Sequence, residues 1–181
     1  MKIGLLLGSF DPIHIGHIYM ATSALNYKLV DKVIFIPAVQ NPWKTDSTDF
    51  RDRYLMVSLA VEGIANCSVS SIDYNNTKPY YTSNTLKMLK ELYPNDELYI
   101  IVGSDIVDQI ENWHEGGWIL SNFNLVIIAR DGYKCFPKES ILTTFNVSST
   151  LIREMVKNDQ EIYPLVPQVI NNYIKQHKLY E

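Results

Sequence analysis

The chain has 181 residues, of which 46% are hydrophobic and 20% are charged. This composition excludes an intrinsically disordered protein, and the length fits one folded domain better than two. The 16 lysines and arginines stand against 20 aspartates and glutamates, which gives a net charge of −4. Because proteins that hold a nucleic-acid backbone usually carry surplus positive charge, we expect no nucleic-acid partner.

The cysteines and the N-terminal residues indicate where in the cell the protein is expected. Cys67 and Cys135 lie far apart and show no metal-ligand spacing, so neither a zinc site nor a disulfide framework is indicated. The apolar run between Lys2 and Gly8 is too short for a signal peptide core or a membrane span. We therefore expect a cytoplasmic protein with no membrane contact.

Short apolar runs alternate with helix-like segments, which is typical of an α/β protein with a mainly parallel sheet. The predicted strands are 3–7, 32–36, 68–72, 98–102 and 125–129. The predicted helices between them are 16–27, 48–64, 83–93 and 105–110. A hydroxyl-rich start at 147 leads into a helix to about residue 158, and a last helix runs from 167 to about 178. We expect one domain, 1–181, with a C-terminal helical part at about 147–181.

The first predicted strand leads through a turn at 8–12 into His14-Ile15-Gly16-His17 at the start of a helix. Residues three apart on a helix share a face, so both imidazoles would lie beside the first turn. A helix start offers unpaired N–H groups and a positive dipole end, and Gly8 and Gly16 would let an anion come close. We predict a phosphate site, with histidine donors. The alternative is that each histidine only caps or packs.

A second anion-binding candidate is Ser148-Ser149-Thr150, followed by Arg153. Hydroxyls at a helix start would bond a phosphate, and the arginine one turn later would fork onto its oxygens. The alternative is plain N-capping, but no Glu or Gln stands three residues after any of these hydroxyls. Because the helix dipole disfavours a positive charge at this end, we predict that a ligand anion offsets Arg153.

Further candidates follow the later strands. Gly103-Ser104-Asp105 ends an apolar strand, and Asp105 would accept hydrogen bonds from a ribose or cap the next helix. The loop 37–49 lies at a strand end, where open α/β sheets bind ligands, and Lys44 within it would supply charge to a polyphosphate or remain a solvated surface lysine. Aromatic side chains such as Trp113 and Tyr81 would stack on a nucleobase or pyridine ring, or form part of the core.

Taken together, segments 8–17 and 148–153 resemble those of the nucleotidyltransferase superfamily and, within it, the bacterial nicotinate-nucleotide adenylyltransferases. Residues 81–86 are similar to the family's Tyr-Thr-x-Asp-Thr-Leu segment, residues 103–105 to its Gly-x-Asp, and Trp113 to the tryptophan that follows. The resemblance covers nearly the whole chain. It implies a Rossmann-like doubly wound parallel sheet, the HxGH nucleotidyltransferase fold, and transfer of AMP from ATP to nicotinate mononucleotide with Mg²⁺.

The resemblance also implies roles for individual residues. The catalytic residues would be His14, His17, Lys44 and Arg153. ATP would be bound by Gly8, Ser9, Phe10, His14, His17, Gly103, Asp105, Ser148, Ser149, Thr150 and Arg153. The mononucleotide would be bound by Ser9, Phe10, Lys44, Tyr81, Thr82, Thr85 and Trp113. Direct in-line attack fits a sequence with donors and cations but no Ser-His-Asp or Cys-His arrangement. Mg²⁺ would be carried mainly by ATP, and a homo-oligomer stays open.

Three positions depart from the family pattern. Leu7 precedes Gly8 where a further glycine is common, Trp43 stands where a histidine usually precedes the lysine, and Asn84 stands where an aspartate is usual. The phosphate half of the site is therefore better supported than the acceptor half. The alternatives are a superfamily member with another acceptor, such as nicotinamide mononucleotide, and an inactive nucleotide-binding sensor. The match of segment 82–86 and Trp113 argues against phosphopantetheine as acceptor.

The His-Ile-Gly-His sequence also matches the signature of class I aminoacyl-tRNA synthetases. Such an enzyme would need a Lys-Met-Ser-Lys-Ser-like loop, an anticodon-binding part and a basic face for tRNA. None of these features stands in the 181 residues, so this class is excluded.

Overall fold

A computed structural model describes residues 1–40, 47–129 and 147–181, together with the backbone of residues 141 and 142. The strands in this part of the chain are β1 (Lys2–Gly8), β2 (Lys32–Pro37), β3 (Cys67–Val69), β4 (Glu97–Gly103), β5 (Asn124–Ala129) and β6 (Ile141–Leu142). The α-helices are α1 (Ile15–Asn26), α2 (Phe50–Val61), α3 (Thr82–Leu92), α4 (Ser104–Val107), α5 (Gly116–Asn122), α6 (Ser149–Lys157) and α7 (Gln168–His177). Short 3₁₀ helices lie at Ile72–Asn75 and Ile110–Asn112.

The described strands form a single parallel sheet in the order β3-β2-β1-β4-β5-β6. The strand order reverses between β1 and β4, which confirms the doubly wound topology. The pairing of β1 with β4 ends at Leu5 and Ile100, whereas its pairing with β2 continues to Gly8 and Pro37. The carboxyl ends of β1 and β4 therefore separate and open a crevice. In open α/β sheets this switch point is where ligands bind.

Successive residues of the central strands point to opposite faces, and each face has its own apolar cluster. On one face, Leu6, Phe35 and Ile101 pack in a cluster that includes residues of α1, α2, α6 and α7. On the other face, Leu5 and Ile100 pack in a cluster with residues of α3 and α5. Burial on both faces explains why these strands are continuous apolar runs without polar alternation.

The C-terminal helices are held by the first of these clusters. Ile152 on α6 and Ile170 and Ile174 on α7 are at most 2% exposed. Each such side chain contributes about 1.5–3 kcal/mol relative to its exposed state. The helical part at about 147–181 thus shares a core with the sheet, and its separate status as a subdomain stays a prediction. Within the described residues, no helix is long and apolar enough to cross a membrane.

All five predicted strands are confirmed, and the differences have local causes. Strand β3 stops at Val69, because the chain turns into a 3₁₀ helix that directs the Asp73 carboxylate inward to the Val39 N–H at 2.7 Å. The predicted helix 105–110 is wrong in extent, since α4 ends at Val107. Helix α5 was not predicted, because its first residues are glycines, which are poor helix formers. The two-residue strand β6 was not predicted either.

The glycine pair at the start of α5 gives a test of backbone packing. A Cβ on Gly116 would collide with the Ile110 carbonyl and lie 2.6 Å from the Glu111 carbonyl, whereas a Cβ on Gly117 would meet nothing within 4 Å. We expect Gly116→Ala to lower the free energy of unfolding by about 2–3 kcal/mol. Gly117→Ala should leave it unchanged or raise it by up to about 1 kcal/mol. Urea denaturation measures both, and equal effects would contradict the packing.

Candidate active site

The two motif histidines form one structural unit at the start of α1. His14 is the N-cap residue, and its backbone N–H donates to Nδ1 of His17 at 3.3 Å. The two imidazoles are stacked, with ring centroids 3.7 Å apart and planes inclined by 22°. The Phe10 and His17 rings pack edge to face, with centroids 4.9 Å apart and planes inclined by 76°. The predicted placement of both imidazoles on one side of the helix start is confirmed.

The residues around this pair are fixed by close packing. A Cβ on Gly16 would lie 3.0 Å from both Nδ1 of His14 and Cγ1 of Val147, so glycine at this position lets the imidazole and the valine come together. Phe10 is 2% exposed and has a φ of 49°, which is unfavourable for a residue with a side chain. The Phe10 ring also packs against the Phe35 ring, with centroids 5.8 Å apart. The turn after β1 is therefore held in one conformation by its side chains.

The start of α6 docks directly on this turn. The Ser149 hydroxyl donates to the Pro12 carbonyl at 2.8 Å, and Nη1 of Arg153 donates to the Asp11 carbonyl at 2.6 Å. These contacts join residues 137 and 142 positions apart in sequence. The structure thus brings the two predicted phosphate motifs to one place, at the carboxyl end of β1.

The other α6 residues have local partners. The Ser148 hydroxyl accepts a hydrogen bond from the Leu151 N–H at 3.1 Å and caps the helix, as the alternative interpretation of this hydroxyl had it. The Thr150 hydroxyl accepts from Nη2 of Arg153 at 3.3 Å and is otherwise on the exposed side. Ser149 and Arg153 are therefore the residues that tie α6 to the turn.

Asp11 and Tyr180 were not predicted as site residues. The Asp11 side chain is 6% exposed; its Oδ1 accepts from the Tyr180 hydroxyl at 2.8 Å, and its Oδ2 accepts from the Thr48 N–H at 3.3 Å. Burial, followed by the nearby Asp11 charge, raises the pKa of the Tyr180 phenol well above its ordinary value. A tyrosine 169 residues away in sequence gave no local signal of this contact.

Arg53 on α2 is the second residue that the sequence analysis missed. It is 1% exposed, and its guanidinium donates to the carbonyls of Thr48 at 2.7 Å, Ser9 at 2.7 Å, Ala38 at 2.6 Å and Val39 at 2.7 Å. Burial lowers its pKa, and the Asp11 charge opposes that shift. A sequence signal did exist, because Arg53 occupies the apolar stripe of α2, whose other buried members are Met56, Val57, Ala60 and Val61.

The end of β4 forms the other wall of the crevice. Gly103 is the N-cap residue of α4, and Asp105 lies in the first turn of that helix. The capping role considered for Asp105 therefore falls to Gly103. The Asp105 side chain is partly exposed, and its backbone carbonyl accepts from the Gln109 side chain at 2.8 Å. This position at the switch point is the one expected for a ribose contact.

One of the predicted acceptor residues, Tyr81, stacks on a histidine that was not predicted. Tyr81 is the N-cap residue of α3, and its ring stacks on His114 with centroids 4.0 Å apart and planes inclined by 5°. Nδ1 of His114 lies 2.9 Å from the Ser83 hydroxyl. His114 follows the half-buried Trp113, so this stack joins the tryptophan segment to the start of α3, where Thr82 is the first residue.

Thr85 has different partners from those the resemblance implied. Its side chain is 1% exposed, its hydroxyl donates to the Asp73 carboxylate, and it also accepts from the Asn76 amide at 3.2 Å. The hydroxyl thus faces a buried polar network. Lys44 and Trp43 lie outside the described residues. Among the described residues, no group of three or more His, Cys, Asp or Glu side chains is arranged to hold a metal ion.

The fold and the site together define a nucleotide-binding α/β protein of the Rossmann-like type. Residues 5–155 match the family model described as Cytidylyltransferase-like. A probable nicotinate-nucleotide adenylyltransferase of Bacillus pumilus is 36% identical, over 99% of this chain and 98% of its own. A probable nicotinate-nucleotide adenylyltransferase of Thermus thermophilus is 35% identical, and the match covers 99% of this chain and 100% of the relative. The chain therefore belongs to the nicotinate-nucleotide adenylyltransferase family of cytidylyltransferase-like proteins.

Solved structures share the same fold. The nicotinic acid mononucleotide adenylyltransferase of Plasmodium falciparum, complexed with NaAD, superposes with a TM-score of 0.84 at 23% identity, over 99% of this chain and 97% of its own. The structure described as a putative nicotinate-nucleotide adenylyltransferase of Vibrio parahaemolyticus gives a TM-score of 0.76 at 17% identity. The superposition covers 99% of this chain and 94% of that one. The expected Rossmann-like nucleotidyltransferase fold is confirmed.

The contact between Tyr180 and Asp11 predicts a pH-dependent contribution to stability. We expect Tyr180→Phe to lower the free energy of unfolding by about 1–2 kcal/mol at pH 7, because a hydrogen bond to a carboxylate is lost. The folded-state pKa of this phenol is raised, so its contribution is present below the ordinary tyrosine pKa of about 10 and declines as the pH rises beyond it. The difference between wild type and variant should therefore shrink above about pH 10.

Urea denaturation at a series of pH values measures this difference. The control is Tyr27→Phe, because Tyr27 is 66% exposed. A Tyr180→Phe variant as stable as this control at pH 7, or a difference that grows above pH 10, would contradict the assigned contact.

Proposed function

We propose that this chain transfers AMP from ATP to nicotinate mononucleotide, releasing pyrophosphate. The observation that carries the proposal is the docking of Ser149 and Arg153 on the turn that leads into His14 and His17. Imidazole and guanidinium groups thereby converge at the switch point of the sheet, where a polyphosphate would find hydrogen-bond donors and positive charge. Membership of the adenylyltransferase family supports the same reaction.

The chemistry needs no covalent enzyme intermediate. An oxygen of the mononucleotide phosphate attacks the α-phosphorus of ATP, and the new P–O bond forms as the bond to the α–β bridging oxygen breaks. Pyrophosphate leaves with that electron pair. We propose that His14, His17 and Arg153 donate to the phosphate oxygens as charge builds on them. Mg²⁺ would arrive on the phosphate oxygens of ATP and neutralise charge on the departing pyrophosphate.

Two further groups would orient the substrates. Asp105, at the end of β4, would accept hydrogen bonds from the ATP ribose. Trp113, with the neighbouring stack of Tyr81 and His114, would hold the pyridine ring of the acceptor between aromatic surfaces. Lys44 is proposed on the resemblance alone, as a cation that contacts the phosphates.

The acceptor is tested directly by competition. We expect purified protein with Mg²⁺-ATP and equal concentrations of nicotinate and nicotinamide mononucleotides to form mainly deamido-NAD, measured by chromatography with pyrophosphate release as a second readout. A preference for nicotinamide mononucleotide would show that the acceptor is that compound and not nicotinate mononucleotide. The two mononucleotides differ only in an amide and a carboxylate group. Turnover of neither would overturn the proposed function, and ATP binding without turnover would favour a nucleotide sensor.

The role of the motif is tested at His17. We expect His17→Ala to lower kcat by about two to three orders of magnitude, which is typical for loss of one donor to a transition-state oxyanion. The matched control is His177→Ala on the exposed side of α7, which should retain the wild-type rate. Steady-state pyrophosphate release measures both. A His17→Ala enzyme within a few-fold of wild type would remove this imidazole from the catalytic residues.

A further inference from the structure

A chain of largely buried hydrogen bonds links the turn after β1 to the start of α3. At one end, Arg53 donates to the Ser9 carbonyl in the turn after β1. It also donates to the Val39 carbonyl, which follows β2. The N–H of the same Val39 donates to Oδ2 of Asp73 at 2.7 Å. One residue after β2 thus links the Arg53 guanidinium to the Asp73 carboxylate.

The chain continues from Asp73 to the start of α3. Asp73 is 4% exposed, and its Oδ1 accepts from the Thr85 hydroxyl and from the Asn76 amide. The Asn76 amide also lies 3.2 Å from the Tyr81 carbonyl. Tyr81 is the N-cap residue of α3 and carries the ring that stacks on His114. Continuous contacts therefore run from Ser9 to Tyr81.

The two ends of this chain lie at different parts of the proposed site. Ser9 and Phe10 are expected to contact both ATP and the mononucleotide, whereas Tyr81 and Thr82 are expected to contact the mononucleotide alone. The side chains of Arg53, Asp73, Asn76 and Thr85 are at most 8% exposed, so each would be costly to leave without its hydrogen bonds; Val39, which links Arg53 to Asp73, is half-buried. A network of this kind has little freedom to adjust, and it fixes the separation of the segments that it joins.

We propose that Arg53 and Asp73 are positioning residues that set the distance between the bound ATP and the bound acceptor. The inference rests on the proposed adenylyl transfer, in which the attacking oxygen and the α-phosphorus must approach in line. A misplacement of about 1 Å costs on the order of 100-fold in rate even where binding is intact. Neither residue touches a reacting atom; they act through Ser9, Val39 and Tyr81.

The test separates positioning from binding. In Arg53→Lys a compact ammonium replaces the planar fork and cannot reach all the carbonyls at once. In Asp73→Asn one acceptor oxygen is replaced by a donor. We expect kcat to fall by about 10- to 100-fold in each variant. The Kd of ATP alone and of nicotinate mononucleotide alone, from calorimetry, should stay within about threefold of wild type.

Matched controls come from the same chain. Arg51→Lys changes an exposed arginine on the same helix, and Asp159→Asn changes an exposed aspartate; both should keep wild-type kcat and Kd. Because the two positioning residues share Val39, the double variant should lose less than the product of the single losses. Near-UV circular dichroism establishes that each variant is folded. If the charged-residue variants do not fold, Thr85→Val decides, because it removes only one hydroxyl from the network.

The outcomes are distinct. A folded variant with kcat within about twofold of wild type would overturn the positioning role. So would a loss of affinity for either substrate alone that accounts for the whole loss in kcat/KM, because the residue would then serve one half-site. The wild-type enzyme is assayed first: absence of adenylyl transfer there would contradict the proposed function, whereas an active wild type with fully active variants would contradict only this inference.

Discussion

The site depends on a single buried cation that is bonded to backbone carbonyls. The Arg53 guanidinium, 1% exposed, links the turn after β1, the residues after β2 and the residue before the cap of α2. Burying this charge is costly, and the carbonyl oxygens offset the cost only if each remains in place. Together with the pairing of β1 and β2 and the bond from Thr48 to Asp11, the arginine holds these three segments in one arrangement. Every substrate contact proposed at the ends of β1 and β2 is built on that arrangement.

Residues near the C-terminus hold the turn after β1 from a second side. Ser149 and Arg153 bond the carbonyls of Pro12 and Asp11, and Tyr180 bonds the Asp11 carboxylate. Arg153 thus has a structural partner on the turn that leads into the histidine pair. In the proposed reaction the same charge would attract a polyphosphate to this turn.

The sequence predicted what local pattern encodes. Apolar runs predicted the strands β1 to β5 of the described residues, and the histidine and hydroxyl motifs predicted the two segments that meet at the turn after β1, because these signals lie within a few residues of each other. The contacts of Arg53, Asp73 and Tyr180 join segments that are far apart in sequence, so local pattern does not identify their partners, although the apolar stripe of α2 indicates that Arg53 is buried. Helix α5 was not predicted because it begins with Gly116 and Gly117, and glycine lowers helical propensity. Packing against the backbone nevertheless requires a glycine at position 116. His114 gave no signal except its place beside Trp113.

In the proposed positioning role, the Arg53 network sets the separation of the two bound substrates. Crystal structures of wild type and Arg53→Lys, each with nicotinate mononucleotide and an ATP analogue that cannot release pyrophosphate, measure this separation directly. In wild type we expect the attacking phosphate oxygen and the α-phosphorus to lie about 3–3.5 Å apart and in line. In the variant they should be farther apart or out of line, with both ligands still bound. The same distance and angle in both structures would contradict the account.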